Sequence, residues 1–86
     1  MNDIVPTLPV TAVLDVRGLK CPLPLLKTKV ELNRIQPGQI LRVLATDPMA
    51  VVDLRAFCVR SGHEMLRWNE RARVWEFFIR KAARDS

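Results

Sequence analysis

This chain of 86 residues has two cysteines, one histidine and no apolar run approaching the ~18 residues that cross a bilayer. Cys21 and Cys58 are too far apart for a Cys-x-x-Cys redox pair and too few for a zinc-ligand set. Free thiols suit a reducing cytosol. The stretch Met1-Asn2-Asp3-Ile4-Val5-Pro6 has no basic n-region and no cleavage-like site, which argues against a signal peptide and for a cytoplasmic protein. His63 is the lone histidine available for Cys–His catalysis, but it follows Gly62 at a strand start, where a polar side chain caps or pairs. Carboxylates paired for acid/base work are not evident, and Asp15 and Asp47 read as turn and cap residues. Repeats, low-complexity tracts and linkers are missing, and nothing calls for a metal or a cofactor.

What is present describes one small folded domain. Hydrophobic residues make up 49% and charged residues 27%, enough for a single core. The net charge of +5 favours acidic protein surfaces or RNA as partners. Arg67, Arg71, Arg73, Arg80, Lys81 and Arg84 crowd the last third of the chain near Trp68 and Trp75, while Lys20, Lys27, Lys29 and Arg34 accompany the first helical pattern. Basic residues interleaved with aromatics bind nucleic acid by phosphate contact and stacking. Here Trp75, Phe77 and Ile79 alternate with Val74, Glu76 and Phe78 as core and surface faces of a hairpin, so direct nucleic-acid binding is the weaker reading.

Residues 1–10 read as a leader, 11–81 as the domain and 82–86 as a tail. Val10, Ala12, Leu14 and Val16 alternate with a more polar set, predicting a strand over about 11–17. Leu25, Thr28, Leu32 and Ile35 then recur at helical spacing until Pro37-Gly38 stops the helix. Gln39–Ala45 reads as a buried strand. Asp47 is a good N-cap and Pro48 a good first helical residue for a second helix with an apolar stripe of Ala50/Val51, Leu54, Phe57 and Cys58, ending at Gly62. A cysteine on that stripe behaves as a small buried hydrophobe. His63–Asn69 and Arg73–Lys81 form a hairpin around a polar turn at Asn69-Glu70-Arg71-Ala72.

Cys21 stands where strand gives way to helix. Gly18 allows the turn, Pro22 suits the first helical position and Pro24 lies within the first turn. The sulfur is thus expected at or beside the N-cap, where the helix dipole and the cations Arg17 and Lys20 lower a thiol pKa from about 8.5. A thiolate so placed is a nucleophile. Leu23, Leu26 and Val30 form a second apolar line on another flank of the helix. Leu23 and Leu26, ringed by Lys20 and Lys27, are an expected docking spot beside the sulfur, the alternative being that a neighbouring helix covers them.

The segment Gly18-Leu19-Lys20-Cys21-Pro22-Leu23-Pro24 resembles the Gly-x-x-Cys-Pro-x-Pro signature of the TusA/SirA-like (YeeD/YedF-related) family of small sulfur carriers. Leu14-Asp15, Pro37-Gly38, Thr46-Asp47-Pro48, Phe57-Cys58 and Gly62-His63-Glu64 also fall where that family has them, over approximately residues 12–81. The resemblance implies a two-layer α/β sandwich, β-α-β-α-β-β, with a mixed four-stranded sheet and two helices on one face. It implies that Cys21 accepts sulfane sulfur as a persulfide, with Pro22 and Pro24 shaping the site. The donor would be a cysteine desulfurase or another persulfide protein, and the sulfur would pass to an acceptor protein. The motif does not separate branches serving tRNA 2-thiolation, sulfur oxidation or molybdoenzyme sulfuration. Such a protein is a sulfurtransferase-type carrier acting with partners, as a monomer or weak homodimer. The alternatives are an adaptor domain docking through the Cys-Pro-x-Pro turn and a basic RNA-binding module. A thiol peroxidase or disulfide oxidoreductase is disfavoured, because no resolving cysteine lies nearby.

Overall fold

The alternation of the first segment and the apolar density of the second make two strands, β1 (Val10–Val16) and β2 (Ile40–Ala45), which pair in parallel. The last third forms β3 (Glu64–Arg71) and β4 (Val74–Arg80), an antiparallel hairpin whose second strand pairs antiparallel with β2. The sheet order is β1-β2-β4-β3. Two helices, α1 (Leu23–Leu32) and α2 (Met49–Ser61), make the connections from β1 to β2 and from β2 to β3. The computed structural model describes residues 8–83. Most of the expected leader and the end of the expected tail therefore lie outside the described residues. Within them, no helix is long and apolar enough to cross a membrane.

Both helices cover one face of the mixed sheet, the two-layer α/β sandwich that the sequence predicts. Leu41, Val43 and Ala45 of β2 and Phe77 and Ile79 of β4 point into this layer, meeting Leu32 and Ile35 from the α1 segment and Ala50, Leu54 and Cys58 from α2. Cys58 is 3% exposed, and burial pushes its thiol up to about 11, as befits a small apolar filler. Thr28 is the one buried polar side chain among the described residues, and its hydroxyl donates to the carbonyl of Pro24, one turn back. That bond lets a polar residue sit on the inner stripe of α1.

The elements shift by a residue or more from their predicted bounds. The first strand begins at Val10, and α1 ends at Leu32 rather than near Ile35. Asn33, a modest helix former, starts a tighter exit in which the Arg34 N–H donates to the carbonyl of Glu31. Ile35 still reaches the core from that turn. The α2 stop falls as expected: Gly62 adopts φ +85 and its N–H closes on the Cys58 carbonyl. The uncovered sheet face is less polar than its alternation implies. Phe78 is buried there under the Arg67 guanidinium, 5.0 Å from its ring, and Arg42 pairs with Glu76 alongside.

The hairpin turn differs most from the sequence reading. β3 runs on to Arg71, and the turn is the pair Ala72-Arg73, with φ values of 52 and 66. Two residues with positive φ between paired strands fit a type I′ turn, whose twist matches that of the strands. Ala and Arg both have a Cβ that disfavours this region, and the Arg73 N–H is held by the Glu70 carboxylate instead. Replacing the pair by Asn-Gly (Ala72→Asn with Arg73→Gly) is expected to raise stability by about 1 kcal/mol, read as a higher urea midpoint at unchanged slope. An unchanged midpoint would mean that this turn carries no conformational penalty.

Candidate functional site

Parallel pairing sets Val16 opposite Ala45, so the chain leaves both strands at the same edge of the sheet. The loop after β1 and the loop after β2 then lie side by side. Two hydrogen bonds join them. The Gly18 N–H donates to the Thr46 hydroxyl at 2.8 Å, and the Cys21 N–H donates to the Asp47 carboxylate at 2.7 Å. Gly18 has φ +85, a conformation that lets the backbone reverse here without a Cβ in strain. Leu19 turns inward against the core, while Gly18, Lys20 and Pro48 help to line a groove of about 200 Å³ beside the cysteine.

Asp47 serves both sides of this junction. One carboxylate oxygen receives the Cys21 N–H; the other receives the N–H of Met49 at the start of α2. The cap role expected of Asp47 is thus present, with the formal helix start one residue later than predicted. These two backbone donors, and then Lys20 close by, hold its carboxyl below the usual carboxylate range.

Cys21 itself is exposed and lies one residue before the N-cap, which is Pro22 rather than Cys21. Pro22 and Pro24 flank Leu23, the first residue of α1; Pro24 is buried at the second helical position, and the Cys21–Pro22 peptide is cis. Among the described residues, the polar group that meets the sulfur is a carboxylate, not a cation. Its Sγ lies 3.1 Å from Oδ2 of Asp53, on α2, and the thiol pKa is raised. The main cause is the hydrogen bond from the thiol to Asp53, followed by desolvation and the negative charges of Asp53 and Asp47. This reverses the lowering expected from the helix terminus and neighbouring cations. Arg17 folds back onto Asp15 through two side-chain bonds of 2.9 and 2.8 Å, holding that carboxyl at about 2. Lys20 acts electrostatically on Asp47, helping to keep that carboxyl ionised.

The outward line on α1 is present as predicted. Leu23 is 44% and Leu26 47% exposed, with Val30 on the same flank and Lys27 exposed beside them. Neither leucine is covered by α2. His63 has a structural contact, its Nδ1 accepting the Ala82 N–H at 2.9 Å. Asp53 is the site residue that sequence reasoning overlooks. Its only local cue is its place six residues after Asp47, on the early turns of α2. Two carboxylates converge on Cys21.

These features define a small two-layer α/β protein that presents one proline-flanked thiol where two parallel strands end. Within that class the family is specific: the family described as Sulfurtransferase TusA matches residues 12–81, and the chain belongs to it. The chain is 44% identical over 69 residues to "Sulfur carrier protein TusA" of Allochromatium vinosum, covering 80% of this chain and 91% of that relative. It is 42% identical over 77 residues to "Sulfur carrier protein TusA" of Pseudomonas paraeruginosa, covering 90% and 98%. The crystal structure of a SirA-like protein from Desulfitobacterium hafniense shares the fold, with a TM-score of 0.74 at 22% identity over 83% of this chain and 97% of that one. Membership of this family supports a sulfur-carrier function.

The Asp47 bridge has a definite pH signature. Its folded-state pKa lies below the unfolded value of about 3.9. Its stabilisation is therefore complete above that value and is lost as pH falls through the lower folded pKa. Asp47→Ala is expected to be less stable than the parent at neutral pH, with the difference closing once the medium is acidic enough to protonate the carboxyl in both states. Urea unfolding across that range checks this, and a gap that persists in acid would rule out the charge as its source.

Proposed function

We propose that the chain carries sulfane sulfur as a persulfide on Cys21, taking it from a cysteine desulfurase or another persulfide protein and passing it to an acceptor protein. The observation that carries this reading is the exposed Cys21 thiol, fixed by its backbone at a proline-flanked loop-to-helix junction, in a chain of this family. Thiol–persulfide exchange needs an open approach to one sulfur and no redox partner within the protein. Cys58 is buried and is not a resolving thiol for this site. Free thiols at both positions suit a reducing cytosol.

Donor and acceptor meet the protein over the outer face of α1. Leu23 and Leu26 supply apolar area next to the sulfur, and Lys20 and Lys27 flank it with charge for an acidic partner surface. The aromatic hairpin is less suited to RNA. Arg67 covers Phe78 and Arg55 lies 5.7 Å from the Trp68 ring, so the protein's own guanidinium groups occupy the ring faces on which bases would stack. The uncovered sheet face has its Arg42–Glu76 pair and Arg67 over the apolar residues beneath, which favours a monomer.

Intact-protein mass spectrometry under non-reducing conditions, with a cysteine desulfurase and cysteine or with inorganic polysulfide, tests the assignment. A reductant-sensitive gain of one sulfur is expected in the parent and in Cys58→Ser, and its loss in Cys21→Ser. If neither source loads Cys21, the adaptor reading takes its place. Leu23→Glu and Leu26→Glu are expected to slow desulfurase-dependent loading several-fold while moving the unfolding free energy by less than about 0.5 kcal/mol. A large loss of stability would instead make these leucines part of the core.

A further inference from the structure

The carrier reading leaves open how a sulfur surrounded by carboxylates reacts at all. The charged groups around it are Asp53 from α2, Asp47 from the loop before α2, and Lys20, which stands beside Asp47. Forming a free Cys21 thiolate would set an anion 3.1 Å from one carboxylate and near a second. A route that moves the thiol proton as the sulfur attacks avoids this. The hydrogen bond already points that proton at Oδ2 of Asp53, whose carboxylate makes no other hydrogen bond or ion pair with a described residue.

We propose that Asp53 is the proton acceptor of Cys21 in sulfur transfer: it takes the thiol proton as the new S–S bond forms and passes a proton to the departing sulfur. The proposal rests on the carrier reading. In loading, an electron pair on Cys21 Sγ forms a bond to the outer sulfur of the donor R–S–SH. The donor S–S bond breaks, and its electron pair leaves on the inner sulfur. The proton from Sγ goes to Asp53, and the inner sulfur is protonated from Asp53 to give R–SH. The balance is Cys21–SH plus R–S–SH giving Cys21–S–SH plus R–SH, with no net oxidation or reduction. In delivery an acceptor thiol attacks the outer sulfur of Cys21–S–SH and loses its proton to Asp53. The S–S bond to Cys21 breaks with its electron pair on Sγ, and Asp53 returns that proton to Sγ. The negative charge of the site is the same before and after, so two adjacent anions never form. A general base in hydrogen-bond contact with the proton it removes contributes about 10²–10⁴-fold.

This role separates from a simple brake on ionisation because the two move different rates in opposite directions. The experiment compares the parent, Asp53→Asn and Asp53→Glu in full-length protein, with Cys21→Ser as background. It measures alkylation of Cys21 by iodoacetamide and loading from glutathione persulfide, across about pH 6 to 9. Removing the carboxylate charge frees the thiolate, so Asp53→Asn is expected to alkylate faster than the parent at neutral pH. The same variant is expected to load at least ~10-fold more slowly, with a rate that climbs with pH through the thiol range. The parent should load at a nearly constant rate there, and Asp53→Glu should recover part of the loss. Unchanged urea midpoints confirm that the variants are folded. If Asp53→Asn loads faster in step with its alkylation, or if its alkylation profile does not move, the proton-acceptor role is wrong while the carrier reading stands. If the parent takes no sulfur at Cys21, the carrier reading falls, and this proposal falls with it.

Discussion

The parallel pairing of β1 with β2 is the constraint on which the site depends. An antiparallel arrangement of these neighbours would place the loop after β1 and the loop after β2 at opposite ends of the sheet. In parallel they leave at one edge, with Val16 beside Ala45, and short chain segments bring Gly18 to Thr46 and Cys21 to Asp47. Open α/β sheets place their ligand sites at the carboxyl ends of their strands for the same reason. The crossover helix α1 is a consequence of that pairing, since parallel neighbours need a long connection. The cysteine therefore stands at the mouth of the helix that the topology requires. Its position follows from sheet geometry and from the two carboxylates that meet it there.

Electrostatics at the sulfur show how far local contacts outweigh bulk charge. The chain has a net charge of +5, and the sulfur stands near a helix N-terminus. Both features favour an anion. Yet the helix-end effect fades beyond the first turn, and Cys21 is already outside the N-cap. Exposed cations act through water and are screened over about 10 Å. Arg17 is further withdrawn by its pairing with Asp15. Against these stands a carboxylate in hydrogen-bond contact, and contact wins. The result is a thiol that is accessible but protonated at rest. For a carrier this combination is coherent, because an exposed thiolate would react with any electrophile it met, whereas a thiol awaits a route for its proton.

Much of this was legible in the sequence, and the boundary of what was legible has a physical explanation. Strand alternation in β1, the stop at Gly62 and the buried stripe of Ala50, Leu54 and Cys58 are local patterns with local causes. They appear where the sequence places them. The exposed flank of Leu23, Leu26 and Val30 follows from the same reasoning, since a helix on one sheet face has only one side to bury. The hairpin turn was misplaced because Ala72 and Arg73 are not turn formers; the register of β3 on β4 imposes positive φ on them. Asp53 was invisible for a different reason. Its contact with Cys21 spans 32 positions and exists only through the packing of α2 beside the loop. Periodicity tells which side of a helix faces inward, but it does not tell which polar residue near the rim meets which neighbour. The upward shift of the thiol pKa, opposite to the one expected from the helix terminus, has that contact as its largest cause.

The two faces of α1 are divided sharply between core and solvent. Its inner face supplies Pro24, Thr28 and Leu32 to the layer beneath, and these are fully buried or nearly so. Its outer face, with Leu23, Leu26 and Val30, contributes little to the core because it remains in solvent. Burial of a full leucine side chain is worth roughly 1.5–3 kcal/mol, and Leu23 and Leu26 leave much of theirs unrealised in solvent. Core residues and solvent-exposed apolar residues thus alternate on one helix, with the sulfur at its end. Changes on the outer face therefore leave the layer beneath undisturbed, while changes on the inner face act on stability. The position of the sulfur depends on neither face directly, being held by Asp47 and Asp53 from the neighbouring helix and its entry loop. The buried face of α1, its exposed face and the contacts that hold the sulfur are therefore three sets of residues that overlap little, although they lie within a few turns of one another.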